Sequence, residues 1–360
     1  MERNTDTLYI LRFIAAIMVV WYHFGSPTFF SYNGGEAVNF FFFISGFVMI
    51  VANARYFKSE NTEFARKEFY VKRFARIYPL YFLALLAQAI FHYCIKTIDT
   101  PTVKYRLIFE VLGIERWLYV GAFNAPGWTI SCEFFFYLFF PFLIVYMRKN
   151  EKRFKTVAWA YFIFTYCLTL VLSYLTELHL PTIPKLVVTG LRLNPVFLIS
   201  IFMLGMLCGK VFLDRKARFF RNQINSLITV VLCIAIVFLV KFYVPGYYVL
   251  ANGLLSPVYF VMILAITSFK KKDTTFFSAK PLIFLGDISY SIYIFQAPFM
   301  NYFKMFVMPI GTWPALIVAT LALIAFCSVL YFTVEMPCKN LILNFFNRKR
   351  APKEPDFAVL

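Results

Sequence analysis

The chain has 360 residues, of which 61% are hydrophobic, 21% aromatic and only 15% charged. Soluble domains are about 45–50% apolar and about 25% charged, so this composition excludes an ordinary soluble enzyme, a disordered protein and a secreted disulfide scaffold. The net charge of +18 fits cationic loops on an anionic membrane surface better than nucleic-acid binding, because no basic run alternates with polar, groove-reading residues. We predict an all-α, polytopic membrane protein that contacts the lipid bilayer and binds no nucleic acid.

About ten apolar segments are long enough for transmembrane helices, which need about 20 residues each. They cover residues 8–25, 36–52, 77–95, 128–147, 157–175, 194–213, 224–243, 249–269, 282–303 and 313–334. With the N-terminus inside, the inner loops hold 26 Lys and Arg, and the outer loops hold seven. This asymmetry predicts that both termini are cytoplasmic. We expect one transmembrane domain over residues 1–340 and a short, basic, flexible tail over residues 341–360.

The first segment carries two ionisable residues, Arg12 and His23, where burial in the bilayer costs free energy. Eleven residues make three helical turns plus about 20°, so both side chains share one face, about 16 Å apart along the axis. Ala15, Ala16 and Val19 lie between them and leave room for a slender ligand. The alternative is that the arginine snorkels to the interface and the histidine packs.

The next two segments add candidate polar contacts. Asn39 and Ser45 stand in the Phe-rich second segment, where a small Ser-Gly pair is also typical of close helix packing. Arg73 and Arg76 are spaced i, i+3 beside Lys72, at the predicted cytoplasmic mouth of the third segment. Paired guanidinium groups suit phosphate, although cytoplasmic flanks are also basic without any ligand.

The fourth segment opens GWTISCEFFF and places Glu133 a turn and a half inside, after Trp128 and Ser131. A carboxylate at this depth is hard to explain as packing. We predict that it pairs with an arginine, orients a histidine or binds a sugar hydroxyl.

The ninth segment, FLGDISYSIYIFQAPF, carries a polar stripe in an apolar run, including Asp287, Ser289, Tyr290 and Gln296. Asp287 is also near enough to the predicted cytoplasmic side to be a helix cap. Glu335 follows the last segment and is either functional or only a helix-end charge.

Metal chemistry is not expected. The seven cysteines form no C-x-x-C motif, and the three histidines are scattered. We predict no metal and no bound cofactor, with the cysteines acting as small hydrophobic residues.

In order along the chain, these motifs resemble the acyltransferase-3 family of membrane acyltransferases, which modify bacterial surface glycans. The resemblance runs from residue 8 to about 340. It rests on an Arg-x10-His signature in LYILRFIAAIMVVWYHFG, on NFFFFISGFVM, on an Arg-x-x-Arg signature in KRFARIYPLY, and on GWTISCEFFFYLFFP, LGDISYSIYIFQAP and VEMP. Single motifs are weak, but six in the family's order are strong.

The resemblance implies an O-acyltransferase in the inner membrane of a bacterium. Its donor is acyl-CoA, most simply acetyl-CoA, and its acceptor is a hydroxyl of a surface polysaccharide or of its lipid-linked precursor. Residues Arg73, Arg76, Lys72 and Arg12 would hold the donor, and His23 would act as general base or acyl carrier, with Glu133 fixing its tautomer. Asn39 and Gln296 stand where the family often has Asp and His, which puts catalysis by those two positions in doubt.

The acceptor and the acyl group stay open at this point. Loop 96–127 is the longest outer loop and offers Asp99, Glu110, Glu115 and Trp117 as candidate sugar contacts. Succinyl is an alternative to acetyl. A transporter or flippase for a glycolipid is the alternative function, disfavoured because the sequence shows no internal repeat.

Overall fold

The computed structural model describes residues 5–25, 34–58, 63–177, 190–243, 253–269 and 276–348. Across these ranges the chain is helical and forms no strand, as its long apolar runs predicted. The α-helices of the described chain are α1 (Thr7–Phe24), α2 (Gly34–Ala52), α3 (Arg66–Cys94), α4 (Pro101–Val111), α5 (Trp128–Lys149), α6 (Glu151–Glu177), α7 (Pro195–Leu213), α8 (Gln223–Tyr243), α9 (Ser256–Ile266), α10 (Lys280–Asp287), α11 (Ser289–Phe306), α12 (Trp313–Leu330) and α13 (Met336–Arg348).

Within the described ranges, eight helices are long and apolar enough to cross a membrane, or nine if the bent pair α10–α11 counts as one span. The eighth predicted segment, 249–269, contains only the 11-residue helix α9 in the part described, and residues 249–252 lie outside the described residues. Eleven residues rise about 16 Å, roughly half of a ~30 Å hydrocarbon core. Helix α9 therefore does not span by itself.

The predicted continuous helix over residues 282–303 is broken. Helix α10 ends at Asp287, α11 begins at Ser289, and the two are bent by 52°. A break inside a membrane needs new partners for its freed carbonyls. The Asp287 carbonyl accepts a hydrogen bond from Arg76 (3.2 Å), and the Gly286 carbonyl accepts one from the Ser289 hydroxyl (2.6 Å). No side chain caps α11, so Asp287 is not the helix cap that the sequence suggested.

Close packing of α2 against α7 forms the centre of the bundle. A Cβ added to Gly46 would lie 2.1 Å from the Phe202 carbonyl oxygen, and one added to Gly205 would lie 2.0 Å from that of Phe43. These glycines let the two backbones touch, which is how helices associate inside a bilayer. The packing interpretation is therefore correct for Gly46, while its neighbour Ser45 faces a cavity.

The chain stays helical after the last span, as far as residue 348. A π-helical turn, Tyr331–Glu335, continues α12 directly into α13, which packs against α3. The whole helical stretch Trp313–Asn347 has 35 residues, about 52 Å, and so exceeds the hydrocarbon core. Residues 341–348 of the predicted tail lie in α13, and residues 349–360 lie outside the described residues.

The bundle has two ends that matter for function. The arginine end holds the start of α1 and of α10, where the Ser278 hydroxyl donates to the Asp6 carboxylate (2.7 Å), and it includes Arg76. The histidine end holds the last turn of α1, with His23, and the first turn of α12, with Trp313.

Candidate active site

A cavity opens among α1, α2, α3, α5 and α11 and encloses about 860 Å³, its open side included. Because all five helices contribute, residues far apart in sequence meet there. Seven of the predicted site residues line it: Arg12, Ser45, Arg73, Arg76, Glu133, Ser289 and Tyr290.

The carboxylate of Glu133 lies among the arginines of this cavity. The Tyr137 hydroxyl, one turn later on α5, donates to Glu133 Oε2 (2.8 Å) and lies 3.4 Å from the Ser45 hydroxyl. Glu133 also attracts the guanidinium groups of Arg12 and Arg73. One negative charge between two positive charges leaves the cavity cationic, so an anionic ligand would be favoured there.

Arg73 has an N–H group available to donate a hydrogen bond to such a ligand. Its guanidinium lies 5.8 Å from the Phe69 ring centroid, and its buried Nε has no hydrogen-bond partner in the described chain. A buried N–H without a partner is costly. A bound phosphate or carbonyl oxygen would remove that cost.

Arg76 is already paired. It donates to the Glu335 carboxylate, whose second oxygen accepts a hydrogen bond from the Ser291 hydroxyl (2.7 Å). Glu335 is 2% exposed and ends the π-helical turn. It is therefore more than a helix-end charge, because it ties α3, α11 and the end of α12 together.

Lys72 does not line the cavity. Its ammonium group pairs with Glu68 at 2.6 Å, four residues earlier on α3, and it is 53% exposed. One residue turns a helix by 100°, so Lys72 points away from Arg73. The prediction that Lys72 joins Arg73 and Arg76 at one site is therefore wrong, because only the two arginines line the cavity.

Helix α11 forms the wall that leads away from the arginine end. The Tyr290 hydroxyl donates to the Ile77 carbonyl (2.9 Å), which ties α11 to α3. Tyr293 lies about one turn further along and lines the cavity, and its buried hydroxyl has no hydrogen-bond partner in the described chain. The predicted polar stripe thus runs from the arginines toward the histidine end.

Gln296 continues this stripe and contacts His23. Its Oε1 lies 2.9 Å from His23 Nδ1, and its amide nitrogen donates to the Tyr293 carbonyl (2.8 Å). An amide oxygen only accepts, so Nδ1 carries the hydrogen and Nε2 keeps its lone pair. Gln296 is fully buried, whereas His23 is exposed. When the ring is neutral, its Nε2 lone pair therefore lies at the histidine end.

Two predictions about His23 need correction. Gln296, not Glu133, makes the hydrogen bond to its ring, since Glu133 is engaged by Tyr137. The helix face between Arg12 and His23 is also closed, because Ala15, Ala16 and Val19 are buried by neighbouring helices. Small residues here permit close packing rather than an open slot. The α11 wall of the cavity is formed instead by Ser289, Tyr290 and Tyr293.

The segment before α5 is held by a buried carboxylate. Glu110 accepts the backbone N–H groups of Phe123 and Asn124, and the Asn124 side chain donates to the Ile294 carbonyl on α11 (3.1 Å). A Cβ at Gly127 would lie 1.9 Å from Glu110 Oε1. Glu110 therefore shapes the turn that starts α5.

Among the predicted sugar contacts of loop 96–127, Glu110 and Glu115 are fully buried. Their interpretation as exposed sugar contacts is wrong. Burial raises the pKa of Glu115 to about 8, and burial together with the nearby Glu115 raises the pKa of Glu110 well above its usual range. Asp99 is exposed and pairs with Lys104 (2.8 Å), and the Trp117 ring nitrogen donates to the Ser131 carbonyl (2.9 Å).

Three further predicted residues lie next to the cavity without lining it. Trp128 meets Phe42 edge to face, and the Arg116 guanidinium lies 5.6 Å from the Trp128 ring centroid. The Ser131 hydroxyl accepts the Arg116 backbone N–H (3.2 Å). Asn39 is buried beside Glu36, on the far face of α2 from the cavity. They support the helices that carry the site.

Sequence reasoning missed Tyr137 and the Glu36–Tyr259 pair. Tyr137 stands four residues after Glu133, so helical spacing alone was a usable signal. The Tyr259 hydroxyl donates to Glu36 at 2.8 Å across 223 residues of sequence, and no local pattern reveals such a contact.

The chain matches the profile of a known protein family. Residues 7–332 match the profile described as "Acyltransferase domain", that of the acyltransferase-3 family. No solved structure matches the chain.

Three curated relatives bear enzyme names. An acyltransferase, MdmB, of Streptomyces mycarofaciens is 34% identical over 161 residues, which are 40% of this chain and 40% of the relative. The peptidoglycan O-acetyltransferase OatA of Listeria monocytogenes is 25% identical over 314 residues, 81% of this chain and 48% of the relative. A putative O-acetyltransferase of Staphylococcus aureus is 24% identical over 158 residues, 40% of this chain and 26% of the relative. The chain thus spans less than half the length of these relatives.

Proposed function

This chain belongs to the acyltransferase-3 family, and from that premise we propose that it is a bacterial membrane O-acyltransferase. It takes an acyl group, acetyl being the simplest, from cytoplasmic acyl-CoA. It transfers that group to a hydroxyl of a surface polysaccharide or of its lipid-linked precursor. The relatives named as O-acetyltransferases support acyl transfer to a hydroxyl.

The proposed orientation puts the arginine end in the cytoplasm of the cell and the protein in its inner membrane. The excess of Lys and Arg in loops at that end supports this topology. Donor and acceptor then approach from opposite sides, and His23 stands where they meet.

The proposed donor site is the cationic cavity. The nucleotide phosphates bind near Arg73 and Arg12, where the cavity carries excess positive charge and Arg73 Nε has no partner in the described chain. Guanidinium groups bind phosphate oxygens in a planar, often bidentate geometry. The slender pantetheine arm then follows α11 past Tyr293, and three residues further, about 4.5 Å along the helix, is Gln296.

The proposed chemistry is general-base catalysis by His23. Nε2 accepts the proton of the acceptor hydroxyl as its oxygen attacks the thioester carbonyl. The C–S bond then breaks, the acyl group stays on the acceptor oxygen, and the imidazolium returns its proton to the CoA sulfur. A second route uses the same atoms: Nε2 takes the acyl group from sulfur first and then passes it to the hydroxyl.

One observation carries this proposal, namely that Gln296 leaves the lone pair of His23 on Nε2 at an exposed position. The test compares surface glycans from cells with and without the gene by mass spectrometry. We expect the acyl mass, 42 Da per added acetyl group, only in cells with the gene. Glycans of unchanged mass but changed surface abundance would instead indicate a transporter.

A further inference from the structure

A second, smaller cavity lies at the histidine end, where α1 finishes and α12 begins. It encloses about 450 Å³, the open space at its mouth included. Phe24, Gly25, Gly311, Thr312 and Trp313 are among its lining residues. We infer that this cavity is the acceptor subsite and that it holds one pyranose ring of the acceptor glycan, an inference that rests on the proposed function.

The first reason is its position. Phe24 and Gly25 directly follow His23 in the chain, so the cavity lies at the same end of α1 as the proposed base, although the His23 side chain does not line it. The donor cavity ends at Tyr293, on the other side of the His23–Gln296 pair. A glycan seated in the smaller cavity would have to pass the end of α1 to bring its hydroxyl to His23.

The second reason is a pre-oriented aromatic platform. Trp313 is 44% exposed, and its ring meets that of Trp21 edge to face with centroids 5.7 Å apart. Trp21 is itself fixed, since its ring nitrogen donates to the Thr320 hydroxyl (3.1 Å). A fixed indole offers a large apolar contact at a small entropic cost, which suits the apolar face of a sugar ring. Trp21 precedes His23 by two residues, so the platform and the base lie on different faces of the same last turn of α1.

The third reason is the polar rim. Thr312 is the N-cap residue of α12, but its hydroxyl makes no capping bond within the described chain, and it lines the cavity. Helix α12 also begins at this rim, and the first N–H groups of a helix lack intrahelical acceptors. Hydroxyl and N–H groups around one aromatic platform match the hydroxyls around a pyranose ring.

Gly311 makes the inference testable without disturbing the fold. A Cβ placed on it meets no atom within 4 Å, so a larger side chain has space to enter the cavity. Gly311→Leu should therefore fold normally and occlude the subsite. Trp313→Ala removes the platform, and Trp313→Phe keeps an aromatic ring.

The experiment uses the full chain in membranes, with [¹⁴C]acetyl-CoA as donor. One reaction measures acetyl transfer to glycan from a strain that lacks the gene. A second, without glycan, measures slow acetyl transfer to water by CoA release. Gly311→Leu and Trp313→Ala should lower transfer to glycan about tenfold or more, while Trp313→Phe keeps most of it and CoA release without glycan stays within twofold.

Phe306→Ala is the matched control. Phe306 is an aromatic residue near the same end, 70% exposed, and does not line the cavity, so its variant should behave like wild type. Unchanged glycan transfer by Gly311→Leu and Trp313→Ala would overturn the inference, as would an equal loss in both reactions. If wild type itself transfers no acetyl group to glycan, the proposed function fails, and the subsite fails with it.

Discussion

Gln296 accepts a hydrogen bond from Nδ1 of His23 at 2.9 Å, and this contact decides which ring nitrogen can act as a base. The Gln296 amide group is itself oriented by the Tyr293 carbonyl. A neutral amide thus does for this histidine what a carboxylate does in hydrolytic triads, which is to fix the tautomer.

Gln296→Leu should lower acyl transfer about 100-fold with little change in the KM for acetyl-CoA, because the tautomer is no longer fixed. Gln296→Glu should retain much more activity, since a carboxylate also accepts from Nδ1. Steady-state kinetics in membranes checks both variants, with protein amounts matched by immunoblot. Equal activity of Gln296→Leu and wild type would show that this hydrogen bond is not used.

Arg73→Ala should raise the KM for acetyl-CoA about tenfold and leave the acceptor KM unchanged, because Arg73 lines the proposed donor cavity and its Nε has no partner in the described chain. The KM of Arg73→Lys for acetyl-CoA should lie between those of wild type and Arg73→Ala, since an ammonium group keeps the charge but not the planar guanidinium. Lys72→Ala is the matched control, being the adjacent cation that pairs with Glu68 instead. A larger effect of Lys72→Ala than of Arg73→Ala would contradict the placement of the donor.

Arg76→Ala should act mainly on stability. It leaves Glu335 buried without its partner, and breaking such a pair costs about 3 kcal/mol. Thermal unfolding in detergent should show a clearly lower Tm, and the double variant Arg76→Leu with Glu335→Leu should recover part of it. A double variant less stable than Arg76→Ala would mean that Glu335 has another essential partner.

The sequence predicted more of the site than of its internal contacts. Polar residues in apolar runs pointed to Arg12, Arg73, Arg76 and Glu133, which line the cavity, and to His23, which does not. Helical periodicity pointed to the stripe on α11. The sequence does not predict which side chains pair between distant helices. Whether Gln296 or Glu133 contacts His23 depends on how α1 is rotated against α5 and α11. The bend at Ile288 was missed for a similar reason, since Arg76 on another helix satisfies a carbonyl at the break.

Stability should also fall as the pH rises from about 5 to 8. The pKa of Glu115 is raised to about 8 in the folded chain against about 4.3 in an unfolded one. The folded state therefore holds an extra proton between these values, and its stabilising effect is lost as the pH rises through 8. In Glu115→Gln, the free energy of unfolding should fall less steeply with pH, by about 1.4 kcal/mol per pH unit between pH 5 and 8. A variant with the wild-type slope would show that Glu115 is ionised throughout.

The central claim, that His23 acts on an acyl group delivered from the arginine end to an acceptor at the histidine end, has one direct test. The chain is placed in proteoliposomes with the arginine end inward, [¹⁴C]acetyl-CoA inside and acceptor glycan outside, and label on the glycan is measured. Wild type should label the external glycan, and His23→Ala, inserted and folded to the same extent, should label it at no more than about a hundredth of that rate. Undiminished labelling by His23→Ala would contradict the account.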